Sequence, residues 1–262
     1  VVTNGDDQRD GLSVQNAWRT LVHAADAVRA GDTVLIHAGT YEETVTIRSS
    51  GQEGAPITIR AAPGEVVWMD GSGRFRSTAF RLLNKHFIHL DGLRFRHFRF
   101  GPDSGPIIDI SAGSGHVISR CFHDGRELDG YVGTLVAAAD CDHLLIENTV
   151  MINGMNEGIA VARCADWTVR QCVFYNNFIR AMTAWQFESK LLVHFSHNLV
   201  CDNLPRKVNN SLLRLSHLSC LRSDHNVFFT RIAGEQRRIG ETADIGGKRV
   251  GHQDPGSYRG EN

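Results

Sequence analysis

The sequence has no uninterrupted run of eighteen apolar residues, which excludes a membrane-spanning helix. It also has no excess of one charge, since 28 basic and 29 acidic residues give a net charge of −1. This balance provides no global attraction to nucleic acid or to an anionic membrane surface. No CxxC pair occurs among the 6 cysteines. Proline is scarce, with 6 residues against 26 glycines, which indicates many turns, and the 42% of hydrophobic residues excludes a disordered chain.

Six short segments of similar pattern recur along the chain, each with a small or polar residue, then an apolar one, and usually Asn or Asp. Their anchors are spaced by 29, 28, 23, 26 and 28 residues and are Gly92, Cys121, Thr149, Cys172, Asn198 and Asn226. A second series of apolar runs lies between them, at 79–83, 106–111, 134–139, 158–162, 181–185 and 211–216. Each run alternates as a β-strand does, and none is long enough for a crossover helix. The shared period of about 27 residues predicts an all-β parallel solenoid of about eight coils.

The pattern predicts a single β-helix domain over residues 1–262, with coils over 33–230. The remaining segment, 231–262, is expected to be irregular. No terminal cap is evident in it, so a further coil or a partner is expected to cover the last coil. At the other end, residues 16–30 are predicted to form an amphipathic helix that caps the open edge of the first coil. Asn16 would begin this helix and Gly31 would end it.

Inward residues at the turns are expected to stack from coil to coil. Asn148 and Asn226 are predicted to point inward and to bond the backbone of the neighbouring coil. Cys121 and Cys172 share one column, with Thr149 between them, and are interpreted as small buried side chains.

Two further pairs are predicted to be neighbours in successive coils. Cys141 and Cys164 align without gaps in ADCDHLLIEN and ARCADWTVRQ, so their Cα separation would suit either a disulfide or a pair of buried thiols. His197 and His225 occupy equivalent turn positions and are expected to stack about 5 Å apart. The histidines would either share a metal ion such as zinc or copper, or form a stacked polar ladder.

The stretch from Asn4 to Gly73, with NAWRTLVHAADAVRAGDTVLIHAGTYEETVTI and GAPITIRAAPGEVVWMDGSG, resembles the start of right-handed parallel β-helix proteins. These pectate-lyase-like proteins include the chondroitinase B and alginate lyase group. The resemblance implies the same fold and an action on extracellular polysaccharides, so we expect a secreted or periplasmic, carbohydrate-active protein. A chain that begins with Val1 and shows no signal peptide fits a mature or trimmed form.

The expected activity is that of a lyase for acidic, uronate-containing glycans. One alternative is a non-catalytic β-helix that binds glycan or serves as a structural module. A second alternative is a metal-binding β-helix that uses His197 and His225.

The lyases of this group use a Lys as base, an Arg as acid, and a calcium ion on Asn and Glu ligands, so calcium is the implied cofactor. Residues 156–189 are similar in layout to their catalytic coils, and Glu157 falls near the calcium-ligand zone. This chain has Ala162 and Arg163 where those lyases carry Lys, and Trp185, Gln186 and Phe187 where they carry Arg-His-Gly. Lys207, in a longer loop, would serve as a base if burial or nearby Arg lowered its pKa. The catalytic candidates are Glu157, Arg163, Arg180 and Lys207.

Strand alternation predicts a flat outward surface on the second series of strands. Its first column is Arg81, Asp109, Ala137, Ala160, Thr183, Arg214, and its second is Leu83, Ser111, Ala139, Ala162, Trp185, Ser216. Small alanines beside an indole suit a sugar ring, and the alternative is a loop folded over them. The substrate-binding candidates are Asp109, Trp185, Gln186, Arg214 and His217.

Arginines are concentrated in the early coils, where they alternate with phenylalanines as in a half-buried strand. They are Arg74, Arg76, Arg81, Arg94, Arg96 and Arg99. This pattern indicates a basic solvated face, or alternatively a track for an anionic polymer.

Overall fold

A computed structural model describes most of the chain. The described residues are 1–72, 78–98, 105–125, 134–154, 157–177, 180–185, 193–201, 213–215, 221–229, 243–245, 248–250 and 258–259. The predicted site residues Gln186, Lys207 and His217 lie outside these ranges.

The strands form three sheets, and the chain passes through sheets A, B and C in turn. Sheet A contains β1 (Thr33–Ile36), β4 (Ile57–Ala61), β7 (Ile88–Asp91), β10 (Val117–Ser119), β13 (Leu145–Glu147), β16 (Trp167–Arg170), β19 (Val193–Ser196) and β22 (Leu221–Asp224). Sheet B contains β2 (Gly39–Tyr41), β5 (Val67–Asp70), β8 (Arg94–Arg96), β11 (Phe122–Asp124), β14 (Val150–Ile152), β17 (Val173–Tyr175), β20 (Leu199–Cys201), β23 (Val227–Phe229) and β26 (Tyr258–Arg259). Sheet C contains β3 (Val45–Thr46), β6 (Phe80–His86), β9 (Ile108–Ser114), β12 (Val136–Asp142), β15 (Glu157–Ala162), β18 (Arg180–Trp185), β21 (Leu213–Leu215), β24 (Ala243–Ile245) and β25 (Lys248–Val250).

Neighbouring coils pair in parallel, so the predicted parallel solenoid is confirmed. The pair β24–β25 is antiparallel. Segment 231–262, expected to be irregular, instead contains described strands: β24 pairs with β21 in sheet C, and β26 pairs with β23 in sheet B. No helix in the described part of the chain has the length and apolar character needed to cross a membrane.

The core consists of inward side chains that stack in columns along the solenoid axis. One column of sheet A, buried throughout, is Val34, Ile59, Leu90, Ile118, Ile146, Val169 and Phe195. Full burial of one such side chain is worth about 1.5–3 kcal/mol. Because every coil adds a similar layer, the stack forms one continuous core.

From β7 onward, the turn between sheets A and B has a left-handed residue followed by an inward one. Asn226 occupies the inward position as predicted, but Asn148 does not. Asn148 has a positive φ of 51° and is exposed, while the buried Thr149 beside it accepts a hydrogen bond from the Cys121 N–H at 3.3 Å. The left-handed conformation directs the Asn148 side chain to solvent, so the next residue, Thr149, points inward.

The N-terminal helix α1 spans Leu21–Ala27, so the predicted bounds of 16–30 are too wide. Thr20, not Asn16, caps its start, and the Thr20 Oγ1 accepts a hydrogen bond from the His23 N–H at 3.2 Å. The Asp7 carboxylate accepts hydrogen bonds from the N–H groups of Arg19 and Thr20, which keeps the chain extended before the helix. Val28 is already extended, so the helix ends before Gly31.

Cys141 and Cys164 are buried coil neighbours and are present as free thiols rather than as a disulfide. The Cys141 N–H donates to the Cys164 Sγ at 3.2 Å. Cys121 and Cys172 are buried as predicted, with Thr149 between them in the column.

Candidate functional site

The outward face of sheet C carries the two predicted columns in register. Ala137 pairs with Asp109 on one side and with Ala160 on the other. In the second column, Ala162 pairs with Ala139 and with Trp185. Parallel pairing fixes this order because each residue opposes its equivalent in the next coil.

A shallow depression of about 180 Å³ lies over the alanines. Its lining is Pro106, Asp109, Ile110, Ser111, Ala137, Ala138, Ala139, Ala160, Val161 and Ala162. We call this depression the alanine groove. Methyl side chains leave space above the sheet, and the Asp109 carboxyl and the Ser111 hydroxyl supply polar groups at one end.

Asp109 is the ionisable group that lines the alanine groove. Burial raises its pKa, and the positive charge of Arg81 in the adjacent coil opposes that rise. Asp109 therefore takes up a proton more readily than an exposed aspartate, and a protonated carboxyl can donate a hydrogen bond to a sugar oxygen. Strand alternation places Arg81 in the same column as Asp109, but it does not reveal the electrostatic effect of Arg81 on the Asp109 carboxyl.

Arg163 lies at the edge of the same face, where the strand turns. Its φ of 52° is left-handed, as is the φ of 54° at Asp140 in the preceding coil. The guanidinium forms a bidentate pair with the Asp140 carboxylate, with Nε–Oδ1 and Nη2–Oδ2 distances of 2.7 Å. The pairing raises the pKa of Arg163 and lowers the pKa of Asp140. The ungapped alignment of the two coils already contained this signal, because it places opposite charges at equivalent positions.

The other predicted site residues are described only in part or not at all. Backbone pairing sets Glu157 beside Arg180, and Thr183 beside Arg214, while the side chains of Glu157, Arg180, Trp185 and Arg214 lie outside the described part. Gln186, Lys207 and His217 lie wholly outside it.

The described residues do not form a calcium or transition-metal site. No group of three His, Cys, Asp or Glu side chains converges among them. His197 and His225 stack as predicted, with ring centroids 4.9 Å apart and planes inclined by 7°. Two parallel imidazoles with no third described ligand fit the stacked polar ladder.

The three-sheet parallel coil, with its inward polar column at the A–B turn, defines a β-helix protein. Residues 1–134 match the family model described as the Pel9A-like, right handed beta helix region, and the chain belongs to this family. The predicted right-handed, pectate-lyase-like β-helix is thereby confirmed.

Individual relatives match with low identity or over part of their length. The uncharacterized protein YwoF of Bacillus subtilis (strain 168) is 33% identical over 129 residues, which are 47% of this chain and 27% of that protein. The structure of XylC with xylose has a TM-score of 0.63 at 12% identity, over 87% of this chain and 62% of the other. A rhamnogalacturonan lyase has a TM-score of 0.51 at 15% identity, over 87% and 71%. At these identities the two structural similarities show the fold alone.

Proposed function

We propose that the protein is an extracytoplasmic, carbohydrate-active protein that binds a uronate-containing polysaccharide in the alanine groove and cleaves it as a lyase. The observation that carries the proposal is the groove itself, a flat floor of stacked alanines with a polar end at Asp109. The family supports it, since its fold is also that of the rhamnogalacturonan lyase.

The groove suits an extended polymer because its floor repeats at the strand spacing of about 4.8 Å. A sugar ring would lie on the methyl groups, and Trp185, one coil beyond Ala162, would pack against a second ring. Asp109 would hydrogen-bond a sugar hydroxyl. The positive charges that bind the uronate carboxylate would come from Arg163, Arg180 and Arg214. Arg163 would first have to break its ion pair with Asp140.

A second function, that of a non-catalytic glycan-binding module, is favoured by the ion pair that Arg163 forms with Asp140. A guanidinium in a bidentate pair with Asp140 is not available as an acid catalyst in this arrangement. Binding by the alanine floor and Asp109 does not need it. The two functions therefore share the groove and differ in whether a bond is cleaved.

The test is incubation with polygalacturonate, alginate and chondroitin, with neutral xylan as a comparison. Ultraviolet absorbance of an unsaturated product supports the lyase. New reducing ends without absorbance overturn the lyase in favour of a hydrolase, and binding without either supports the module. The absence of binding and cleavage with every polymer contradicts both proposed functions.

A further inference from the structure

Sheet B carries an aromatic and basic cluster on its outward face, away from the alanine groove. Trp68 of β5, Arg94 of β8 and Phe122 of β11 occupy one outward column in three successive coils. Trp68 and Phe122 are half-buried, and Arg94 is exposed. We call these three residues the sheet B patch.

The two rings meet around the arginine. The centroids of Trp68 and Phe122 are 6.1 Å apart, with their planes at 82°. The Cζ of Arg94 lies 5.7 Å from the Trp68 centroid and 5.9 Å from the Phe122 centroid. Cation–π contacts of this kind attract a guanidinium to the ring faces. The patch therefore presents a cation with aromatic surface on two sides.

The neighbouring arginine is neutralised by a carboxylate, whereas Arg94 has no such partner within the described part of the chain. Arg96, whose Cζ lies 4.7 Å from the Trp68 centroid, donates to the buried Asp70 carboxylate at 2.7 Å. Burial alone would raise the pKa of Asp70, but hydrogen bonds from Ser72, Arg96 and His97 outweigh it and bring the pKa to about 2. Asp70 is thus an anion that fixes Arg96. Among the described residues, no carboxylate forms an ion pair with Arg94.

We infer that the sheet B patch is a second glycan-binding site, separate from the alanine groove, and that it takes a uronate-bearing sugar. The planar guanidinium fork of Arg94 matches a carboxylate in a bidentate arrangement. The exposed parts of the Trp68 and Phe122 rings would contact the apolar face of the same sugar. The patch would anchor an acidic polymer on a face that takes no part in cleavage, so it goes beyond the proposed function.

The test is calorimetric titration of the full chain with three probes: an oligogalacturonate, a neutral xylo-oligosaccharide and a sulfated dextran oligosaccharide. The parent and Arg94→Gln are compared, and Arg222→Gln is the matched control. Arg222 is an exposed arginine on the outward face of sheet A, where it pairs in register with His194. Thermal unfolding shows that each variant retains the fold.

Ala160→Trp separates the two sites, because an indole on the floor fills the alanine groove and leaves sheet B unchanged. In this background, the remaining oligogalacturonate binding should fall roughly tenfold to a hundredfold on Arg94→Gln and stay constant on Arg222→Gln. Higher salt should weaken it, since an exposed ion pair is screened.

Three results would overturn the inference. The first is oligogalacturonate binding that Arg94→Gln leaves unchanged in the Ala160→Trp background. The second is binding of the sulfated probe alone, and the third is equal binding of the neutral probe. If the parent binds oligogalacturonate at sheet B but cleaves none of the polymers, only the proposed lyase is contradicted. The two proposals can therefore be overturned independently.

Discussion

The Oδ1 of Asn226 accepts a hydrogen bond of 2.9 Å from the backbone N–H of Asn198, one coil away. Asn198 repeats the arrangement, since its Oδ1 accepts from the Cys172 N–H at 2.9 Å and its Nδ2 donates to the Val169 carbonyl at 3.1 Å. All these groups are buried. The turn between sheets A and B is thus held to its neighbour by buried side-chain amides.

The first prediction concerns this amide ladder. Asn198→Ala removes the side-chain acceptor of the buried Cys172 N–H and the amide donor to the Val169 carbonyl, and a buried unpaired group costs about 1–3 kcal/mol. The free energy of unfolding should fall by about 2–4 kcal/mol in urea titrations. Asn198→Thr should cost less, because Thr149 already accepts the equivalent hydrogen bond with its Oγ1. Equal losses for Ala and Thr would contradict the role of the side-chain oxygen.

The second prediction concerns acid. Burial lowers the pKa of His116 and of His123 from 6.5 to about 4 in the folded chain. The unfolded chain then binds more protons than the folded chain between about pH 6.5 and pH 4. The free energy of unfolding is therefore not reduced by these histidines above this range, and it falls as the pH decreases through the range. Each histidine should contribute a loss of about 3 kcal/mol. Urea titrations at several pH values would measure it.

A variant at His123 provides the control for acid sensitivity. His123 lies between Phe95 and Met151 in an inward column of sheet B, and its Nε2 has no partner among the described residues. His123→Met should remove about half of the pH dependence. The exposed His143→Gln should leave it unchanged. An unaltered slope in His123→Met would show that other groups cause the acid sensitivity.

The third prediction concerns the alanine groove. Ala160→Trp should weaken polysaccharide binding at least about tenfold, because the indole occupies the floor on which a sugar would lie. Thr168→Trp places the same side chain at an outward position of sheet A in the same region of the chain and should bind as the parent does. Affinity electrophoresis in polymer-containing gels measures both. Parent-like migration of Ala160→Trp would place glycan binding elsewhere.

The fourth prediction concerns the Arg163–Asp140 pair. If Arg163 contacts a uronate, Asp140→Asn should tighten binding of an acidic oligosaccharide by releasing the guanidinium, and Arg163→Ala should weaken it. Neither change should alter the thermal midpoint measurably, because both side chains are more than half exposed. Unchanged affinity in both variants would show that Arg163 forms the ion pair with Asp140 but does not contact the glycan.

The fifth prediction concerns the thiols. Burial raises the pKa values of Cys121 and Cys172 to about 12, and Cys141 and Cys164 are equally inaccessible. These four cysteines should resist alkylation in the native protein and react after unfolding. Mass spectrometry of the digested protein measures the labelling. A linked Cys141–Cys164 peptide pair from an unreduced sample would show that the oxidised form also exists.

The sequence predicted the register of sheet C because the strands repeat without gaps. Once Cys141 is aligned with Cys164, the pairing of Ala139 with Ala162 follows by counting. The same counting predicted the stack of His197 on His225. The pairing register of neighbouring strands can therefore be predicted from the sequence wherever extended residues repeat at a constant spacing.

Side-chain direction at the turns was not predictable in this way. Strand alternation applies only to extended backbone, whereas Asn148 and Arg163 are left-handed. Asn148 consequently points outward rather than inward, and Arg163 turns toward Asp140 rather than over the groove. The predicted start of the helix was wrong for a related reason. Asp7 accepts hydrogen bonds from the N–H groups of Arg19 and Thr20, and helix periodicity does not reveal this contact.

The left-handed turn positions between sheets A and B accept very different side chains on an unchanged backbone. The non-glycine residues at these positions have φ values between 51° and 56° and are Arg120, Asn148, Gln171, His197 and His225. A substitution there changes the chemistry of one step of the rod, about 4.8 Å long, without repacking the interior. Inward residues thus determine the fold, and the left-handed turn residues of the same coil determine the surface chemistry. Natural or engineered substitutions can therefore change the surface one coil at a time while the buried residues stay the same.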